Sequence, residues 1–205
     1  MTNTSDKLFA GSIPEIYNTY LVTLIFEAYA DNLADRLAEG SLSNVLELAA
    51  GSGVVTRAMA RRLPVSVSIM ATDCNQPMLD HAASLGTELL VEWRRADAMD
   101  LPFEDEMFDV VVSQFSVIFF SEKSVAFAQA RRLLRPGGIF LFSVWDRIED
   151  SEFADEVTTA LESVFPGDPP RFLARTPHGY FDHATIQRDL VSAGFLAAPH
   201  IETVA

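Results

Sequence analysis

Cysteine is almost absent: Cys74 stands alone in 205 residues. One thiol excludes an intrachain disulfide and leaves no cysteine spacing for a structural zinc, so no metal is expected. Basic charge is scarce too, with 15 Lys and Arg against 29 Asp and Glu and a formal net charge of −14. Such a surface repels a phosphate backbone unless a basic patch is segregated from the rest. The densest basic groups, Arg57/Arg61/Arg62 and Arg131/Arg132/Arg135, recur at helical spacing near expected helix ends, where cations complement the dipole. No nucleic-acid partner is expected. No apolar run approaches the roughly 20 residues that span a bilayer. The N-terminus lacks a basic segment followed by an apolar one, so no signal peptide is read. These absences lead to the expectation of a cytoplasmic protein without stable membrane insertion.

What is present is ordinary for a globular chain: 49% hydrophobic and 21% charged residues, in a length that suits one domain with a substantial core. Apolar residues at helical intervals between Ile13 and Leu37 predict one or two helices. From Asn44 the pattern alternates. "NVLEL" is a short strand and "VVTRAMARRL" a helix halted before Pro64. "VSVSIMATD" is a strand ending at Asp73, and "PMLDHAASL" a helix with Pro77 in its first turn and Gly86 at its end. "LLVEWRRAD" is a third strand. "FDVVVSQFSVIFF" is a fourth, apolar throughout as for a strand covered on both faces. "SEKSVAFAQARRLL" is a helix capped by Ser121 and halted at Pro136, and "GIFLFSVWD" the fifth strand. The fold class is therefore α/β, a Rossmann-like open and mostly parallel sheet with helices on both faces. Beyond Asp146 two more helices flank a Pro-rich loop, and "FLAAPHIETVA" begins a further strand. A sheet of this kind closes by pairing its last strands, so a final strand is expected to be missing. The edge left open is prone to pairing, which raises a homodimer as an expectation.

In open parallel sheets the ligand sits beyond the carboxyl ends of the strands, where the strand order reverses. The stretch "LELAAGSGVV" places a small-residue turn, Ala49–Gly53, at the end of the first strand. A triphosphate loop needs Gly-Lys-Ser/Thr, and here Gly53 is followed by Val54-Val55-Thr56. A dinucleotide fingerprint needs a third glycine, and from Gly51 that position is Thr56. The dinucleotide reading stays only as an alternative.

The stretch resembles the first motif of class I S-adenosylmethionine-dependent methyltransferases, in which an acid precedes G-x-G-x-G; here Glu47 precedes Ala49-x-Gly51-x-Gly53. Three further segments follow in the family's order. Asp73 ends the second strand about 20 residues beyond Gly51, where a carboxylate can accept both ribose hydroxyls. "TDCNQPMLDHA" is similar to the stretch after that acid and "RADAMDLPFEDEMFDVVVSQFSV" to the segment through the fourth strand. "ARRLLRPGGIFLFSVW" resembles the helix, Pro-Gly-Gly turn and fifth strand. The resemblance covers roughly Asn44 to Asp146 and looks closest to the ubiquinone/menaquinone C-methyltransferase subgroup.

That resemblance implies S-adenosylmethionine as cofactor, released as S-adenosylhomocysteine after methyl transfer to a small-molecule acceptor by in-line displacement. It implies Glu47, Ala49, Gly51 and Gly53 about the methionine half, Asp73 on the ribose, Met78 against the adenine, and Asp97 and the Ala98 main chain on the ring edge. Gln114 would face the methionine part and the acceptor. Helices in residues 1–43 would form a lid, with Tyr17, Tyr20 and Phe9 as contacts and Tyr17 preferred. Residues 44–146 would be the cofactor-binding core and 147–205 the acceptor side of one domain, 1–205. No catalytic residue is evident. His178 in "TPHGYF" is the candidate base if the acceptor must lose a proton; His81 and His200 read as structural or surface residues, and His183 as a helix cap. A non-catalytic cofactor-binding module acting through a partner is the alternative, prompted by Ala49 and the missing base.

Overall fold

The computed structural model describes residues 17–167 and 170–204, with side chains from residue 22 onward. Five strands, β1 (Asn44–Leu48), β2 (Ser68–Asp73), β3 (Val91–Arg95), β4 (Phe108–Gln114) and β5 (Leu134–Ser143), form one sheet in the order β3-β2-β1-β4-β5. Every neighbouring pair is parallel. The helices are α1 (Glu27–Ala38), α2 (Val54–Arg62), α3 (Gln76–Ser84), α4 (Lys123–Leu133), α5 (Glu152–Val164), the single turn α6 (Phe172–Arg175) and α7 (His183–Ser192).

Successive strand residues point to opposite faces, and the sequence supplies apolar side chains to both. Val45, Val110, Val112 and Ile69 pack with Leu33 and Leu37 of α1 and Val55 and Met59 of α2. Leu46, Leu48 and Val111 pack on the other face with Ala126, Ala130 and Leu133 of α4. A third cluster joins Phe127 to Tyr180, Ile186 and Leu190, docking α7 beside α4. The three-layer α/β arrangement matches the expectation from the alternating pattern.

Several boundaries differ from the expectation. Among the described residues, α1 is preceded by a π-helical segment, Tyr17–Phe26, that runs into it. Phe9 and the side chains of Tyr17 and Tyr20 lie outside the described residues. The apolar run after β4 leaves the sheet at Gln114 and turns through a short 3-10 segment, Val117–Phe119. Glu122, not Ser121, is the N-cap of α4; the Ser121 hydroxyl instead reaches the Met99 sulfur at 3.2 Å.

Helix α4 ends at Leu133, ahead of Pro136, and Arg135–Gly138 already belongs to β5. The reason is tertiary. Leu134 pairs with Phe108, a register shift follows between Phe108 and Val110, and Arg135 donates to the Asp109 carboxylate at 2.8 Å. The second carboxylate oxygen of Asp109 accepts the Ser43 and Asn44 N–H groups. A Cβ on Gly138 would sit 2.9 Å from the Asp109 carbonyl, so only glycine admits this close approach.

The expected strand from Phe195 is not formed among the described residues. The Phe195 ring packs on Phe140, 5.9 Å between centroids, and Glu202 pairs with Arg36 at 2.7 Å. His200 accordingly lies in irregular, exposed chain. Asp182, not His183, caps α7 by accepting the Thr185 N–H at 2.8 Å.

Candidate functional site

Strand order reverses at β1: β2 and β3 lie on one side of it, β4 and β5 on the other. The carboxyl ends of β1 and β4 therefore open on one crevice, the place where such sheets hold ligands. The turn after β1 is bent by three left-handed residues, Ala49 (φ 53°), Gly51 (φ 56°) and Gly53 (φ 77°). Glycine takes this conformation without cost, whereas alanine does not. Gly53 is also sterically required. A Cβ there would lie 2.8 Å from the Trp93 ring and 3.1 Å from the Ala82 Cβ.

Asp73, at the end of β2, clamps this turn. Its Oδ2 accepts the Gly51 N–H at 2.8 Å and its Oδ1 accepts the Asn75 N–H at 2.8 Å. Burial raises the carboxyl above its ordinary range, and these backbone bonds work against that rise. Both oxygens keep further acceptor capacity for hydroxyl donors. The Asp73 carbonyl also accepts the Ala96 N–H at 3.0 Å, which brings the loop after β3 alongside. In that loop Asp97 is exposed, with Oδ1 accepting the Met99 N–H at 2.9 Å, and Ala98 is buried. Met78 is buried at the start of α3, which Asn75 caps, and its methyl would be 3.6 Å from a Cβ on Gly51. The predicted residues Ala49, Gly51, Gly53, Asp73, Met78 and the Asp97–Ala98 pair thus fall in connected loops at the carboxyl ends of β1, β2 and β3.

Glu47 is placed differently from the other motif residues. It alternates with Leu46 and Leu48, so it shares the face of Val45 that α2 covers. It is 2% exposed, and its Oε2 accepts the Thr56 hydroxyl at 2.5 Å. Burial pushes its carboxyl up to about 8, with Thr56 and Arg57 pulling the other way. Arg57 in turn donates to the Ser52 carbonyl at 2.6 Å. Glu47 supports the turn from behind.

Gln114 brings the far side of the crevice into contact with the N-terminal helices. Its amide donates to the Phe26 carbonyl at 3.1 Å, while its Oε1 is buried with no partner. Ser116 bonds the Ala49 carbonyl at 3.2 Å, tying the end of β4 to the glycine turn. Above them four rings meet, an arrangement the sequence reading missed. Phe115 and Trp145 stack at 3.9 Å with planes 5° apart, and Tyr29 stands edge-on to both at 5.2 and 5.5 Å. Phe26 is tilted against the pair. The one local signal was an aromatic residue within two positions of the end of each of two adjacent strands, Phe115 after β4 and Trp145 after β5. Phe115 also takes a left-handed φ of 51°, which sequence does not announce.

Of the histidines, His178 alone approaches this ring cluster, 5.9 Å from Trp145. His81 lies on α3 with a buried, unpartnered Nε2. Among the described residues no group of three or more His, Cys, Asp or Glu forms a metal cage. None of the described helices is long and apolar enough to cross a membrane.

A parallel sheet whose order reverses at β1, with a glycine turn there and a buried acid at the end of the neighbouring β2, defines a Rossmann-like fold of the kind that binds cofactors. Residues 46–142 match the family profile described as a methyltransferase domain. The chain is 30% identical over 171 residues to the ubiquinone/menaquinone biosynthesis C-methyltransferase of Ralstonia pickettii, covering 78% of this chain and 70% of that one. The corresponding enzyme of Burkholderia multivorans is also 30% identical, over 166 residues, with coverage of 76% and 68%. The fold is shared with an S-adenosylmethionine-dependent methyltransferase of Thermotoga maritima, at TM-score 0.63, 19% identity and coverage of 91% and 79%. A Bacillus halodurans protein assigned as a methyltransferase matches at TM-score 0.58 and 23% identity, with coverage of 80% and 68%. The chain belongs to the class I S-adenosylmethionine-dependent methyltransferases and resembles their ubiquinone/menaquinone C-methyltransferase members. S-adenosylmethionine is its cofactor, and it transfers the methyl group to a small-molecule acceptor.

Proposed function

We propose that methyl transfer takes place in the β1/β4 crevice and that Asp73 holds the cofactor ribose there. The carrying observation is a carboxylate already oriented by two 2.8 Å backbone bonds, beside a turn whose glycines bring main chain close to a ligand. The Ala98 main chain and Asp97 take the adenine edge, and Met78 packs against the ring. Ala49, Gly51 and Gly53 line the methionine half, with Glu47 supporting them. Two polar atoms favour a ligand rich in donors: Gln114 Oε1 and Ser52 Oγ are buried without partners. An ammonium or hydroxyl group satisfies them at little cost, whereas leaving them unpaired costs about 1–3 kcal/mol each. Tyr17 remains a proposed lid contact.

When bound, the cofactor supplies an activated methyl group and its own leaving group. The protein aligns the two reactants and keeps water out, with orientation supplying a large part of the rate. The acceptor proposed is a flat, largely apolar ring compound, the reduced and hydroxyl-bearing form of a quinone-type nucleus such as the relatives' names indicate. The ring cluster of Phe26, Tyr29, Phe115 and Trp145 supports this choice. The same reading takes the chain as one cytoplasmic domain that does not act on nucleic acid. Arg62, Arg132 and Arg135 support that, since each is engaged by an Asp of the chain itself. The edge of β5 opposite β4 supports a homodimer, which sedimentation would test.

Calorimetry with S-adenosylhomocysteine tests the cofactor assignment. Asp73→Ala is expected to lose about 1.5–3 kcal/mol of binding, the range for hydrogen bonds to a charged group. Unchanged affinity in a folded Asp73→Ala protein would reject Asp73 as the ribose ligand.

A further inference from the structure

We propose that His178 is the catalytic base of the reaction, and that the acceptor is therefore a hydroxyl compound that must lose a proton to become a nucleophile. The proposal rests on the methyl-transfer reading and adds the group that receives the proton. His178 is 6% exposed, and its Nδ1 lies 2.7 Å from the Asp146 carbonyl oxygen. A carbonyl only accepts, so Nδ1 must carry the hydrogen. In the neutral ring Nε2 is then the bare nitrogen, fixed as an acceptor. It has no hydrogen-bond partner among the described residues. Unlike the Nε2 of His81, which is sealed off from solvent on α3, this nitrogen belongs to a ring packed beside the aromatic cluster and is open to a hydroxyl donor.

The surroundings hold the ring in place. The His178 N–H donates to the Leu173 carbonyl at 2.9 Å. A Cβ on Gly179 would stand 2.2 Å from the Arg175 carbonyl, so only glycine lets the chain fold back on α6 at this point. Two residues on, the Tyr180 hydroxyl donates to Asp189 at 2.8 Å and anchors the loop to α7. The imidazole is thereby set against Trp145, whose stacked partner Phe115 directly follows Gln114. His178, Trp145 and Phe115 are thus linked in one row of ring contacts, which ends in the residue after Gln114 at the carboxyl end of β4.

In the step proposed, the acceptor hydroxyl hydrogen passes to Nε2 and the O–H electron pair stays with the acceptor. That pair forms the new bond to the methyl carbon from oxygen; where it does so from a ring carbon, that carbon's own hydrogen then passes to water as a proton and the C–H electron pair restores the aromatic ring. The carbon–sulfur bond breaks with its electrons returning to sulfur, which becomes a neutral thioether. The imidazolium then releases its proton to water.

His178→Asn separates this role from a structural one, because the Asn amide can still donate to the Asp146 carbonyl but has no counterpart of Nε2. The probe is 4-nitrophenol, added to wild-type and variant protein saturated with S-adenosylhomocysteine and read by the visible phenolate band. At a pH where the free dye is protonated, the wild type is expected to bind it as phenolate. The Asn variant, with unchanged melting temperature and cofactor affinity, is expected to lose at least tenfold of that band. An equal band in the variant, dye bound to the wild type in its protonated form, or no dye binding by the cofactor-loaded wild type would each overturn the proposal. Absence of S-adenosylhomocysteine binding to the wild type is a separate result, and it would overturn the underlying cofactor reading instead.

Discussion

The two sides of the crevice are built on different principles. Around β1, β2 and β3 the chain meets itself through backbone hydrogen bonds. Asp73 holds Gly51 and Asn75, the Thr72 carbonyl holds Ala50, and the Asp73 carbonyl holds Ala96. Around β4 and β5 it meets through rings contributed from residues 26, 29, 115 and 145, with polar atoms left over at Gln114 and His178. The first arrangement suits a ligand of constant shape, because directional bonds fix the loops before it arrives. The second suits a ligand that differs between family members, because ring surfaces tolerate varied shapes and leave specificity to a few polar atoms.

The largest effect that would break this contrast is expected at Gly53. Gly53→Val forces a β-branched residue to a φ of 77° and into the Trp93 ring. Strain and overpacking together predict a loss of about 3 kcal/mol, read by urea unfolding. Next is Trp145→Ala, which removes the stacked partner of Phe115. It is expected to cost about 2 kcal/mol of stability, while S-adenosylhomocysteine affinity by calorimetry stays within a factor of two or so. A large fall in affinity would show the two sides to be one unit.

Glu47 predicts a pH dependence. Burial raises its folded-state carboxyl from 4.5 to about 8, so the folded protein keeps a proton that the unfolded chain releases. Its stabilising contribution is complete below about pH 4.5 and fades as pH climbs through 8. Unfolding free energy is expected to fall in that window by up to about 1.4 kcal/mol per pH unit from this group. Glu47→Gln should flatten the slope in denaturant titrations; an unaltered slope would assign it to other groups. The smallest change is Ala49→Gly, which relieves a left-handed alanine at φ 53°. About 1 kcal/mol of strain is removed, offset in part by the greater freedom of glycine in the unfolded chain. A small rise in cofactor affinity with little net change in melting temperature is the expected readout.

The polar side was far more legible from sequence than the aromatic one. Strand ends, the glycine turn, Asp73 and the Asp97–Ala98 loop lie in local signals, each a few residues long and in fixed order. Misreadings came where distant partners decided the outcome. Arg135–Gly138 resembles a helix stop and turn, yet Asp109 and Phe108 recruit it into β5. The burial of Glu47 is set in the same way, since the period of two along β1 turns it toward Thr56 of α2. The ring cluster was invisible because no stretch of sequence places Phe26 beside Trp145.

The sequence by itself determined the alternating α/β order, both apolar faces of β4 and the acid at the end of β2, because hydrophobic period and turn chemistry act over short distances. Tertiary structure alone decided which carboxylate reaches the crevice, which rings gather at its mouth and which histidine nitrogen is left bare. Those outcomes depend on burial and on partners tens of residues apart, which no local pattern encodes.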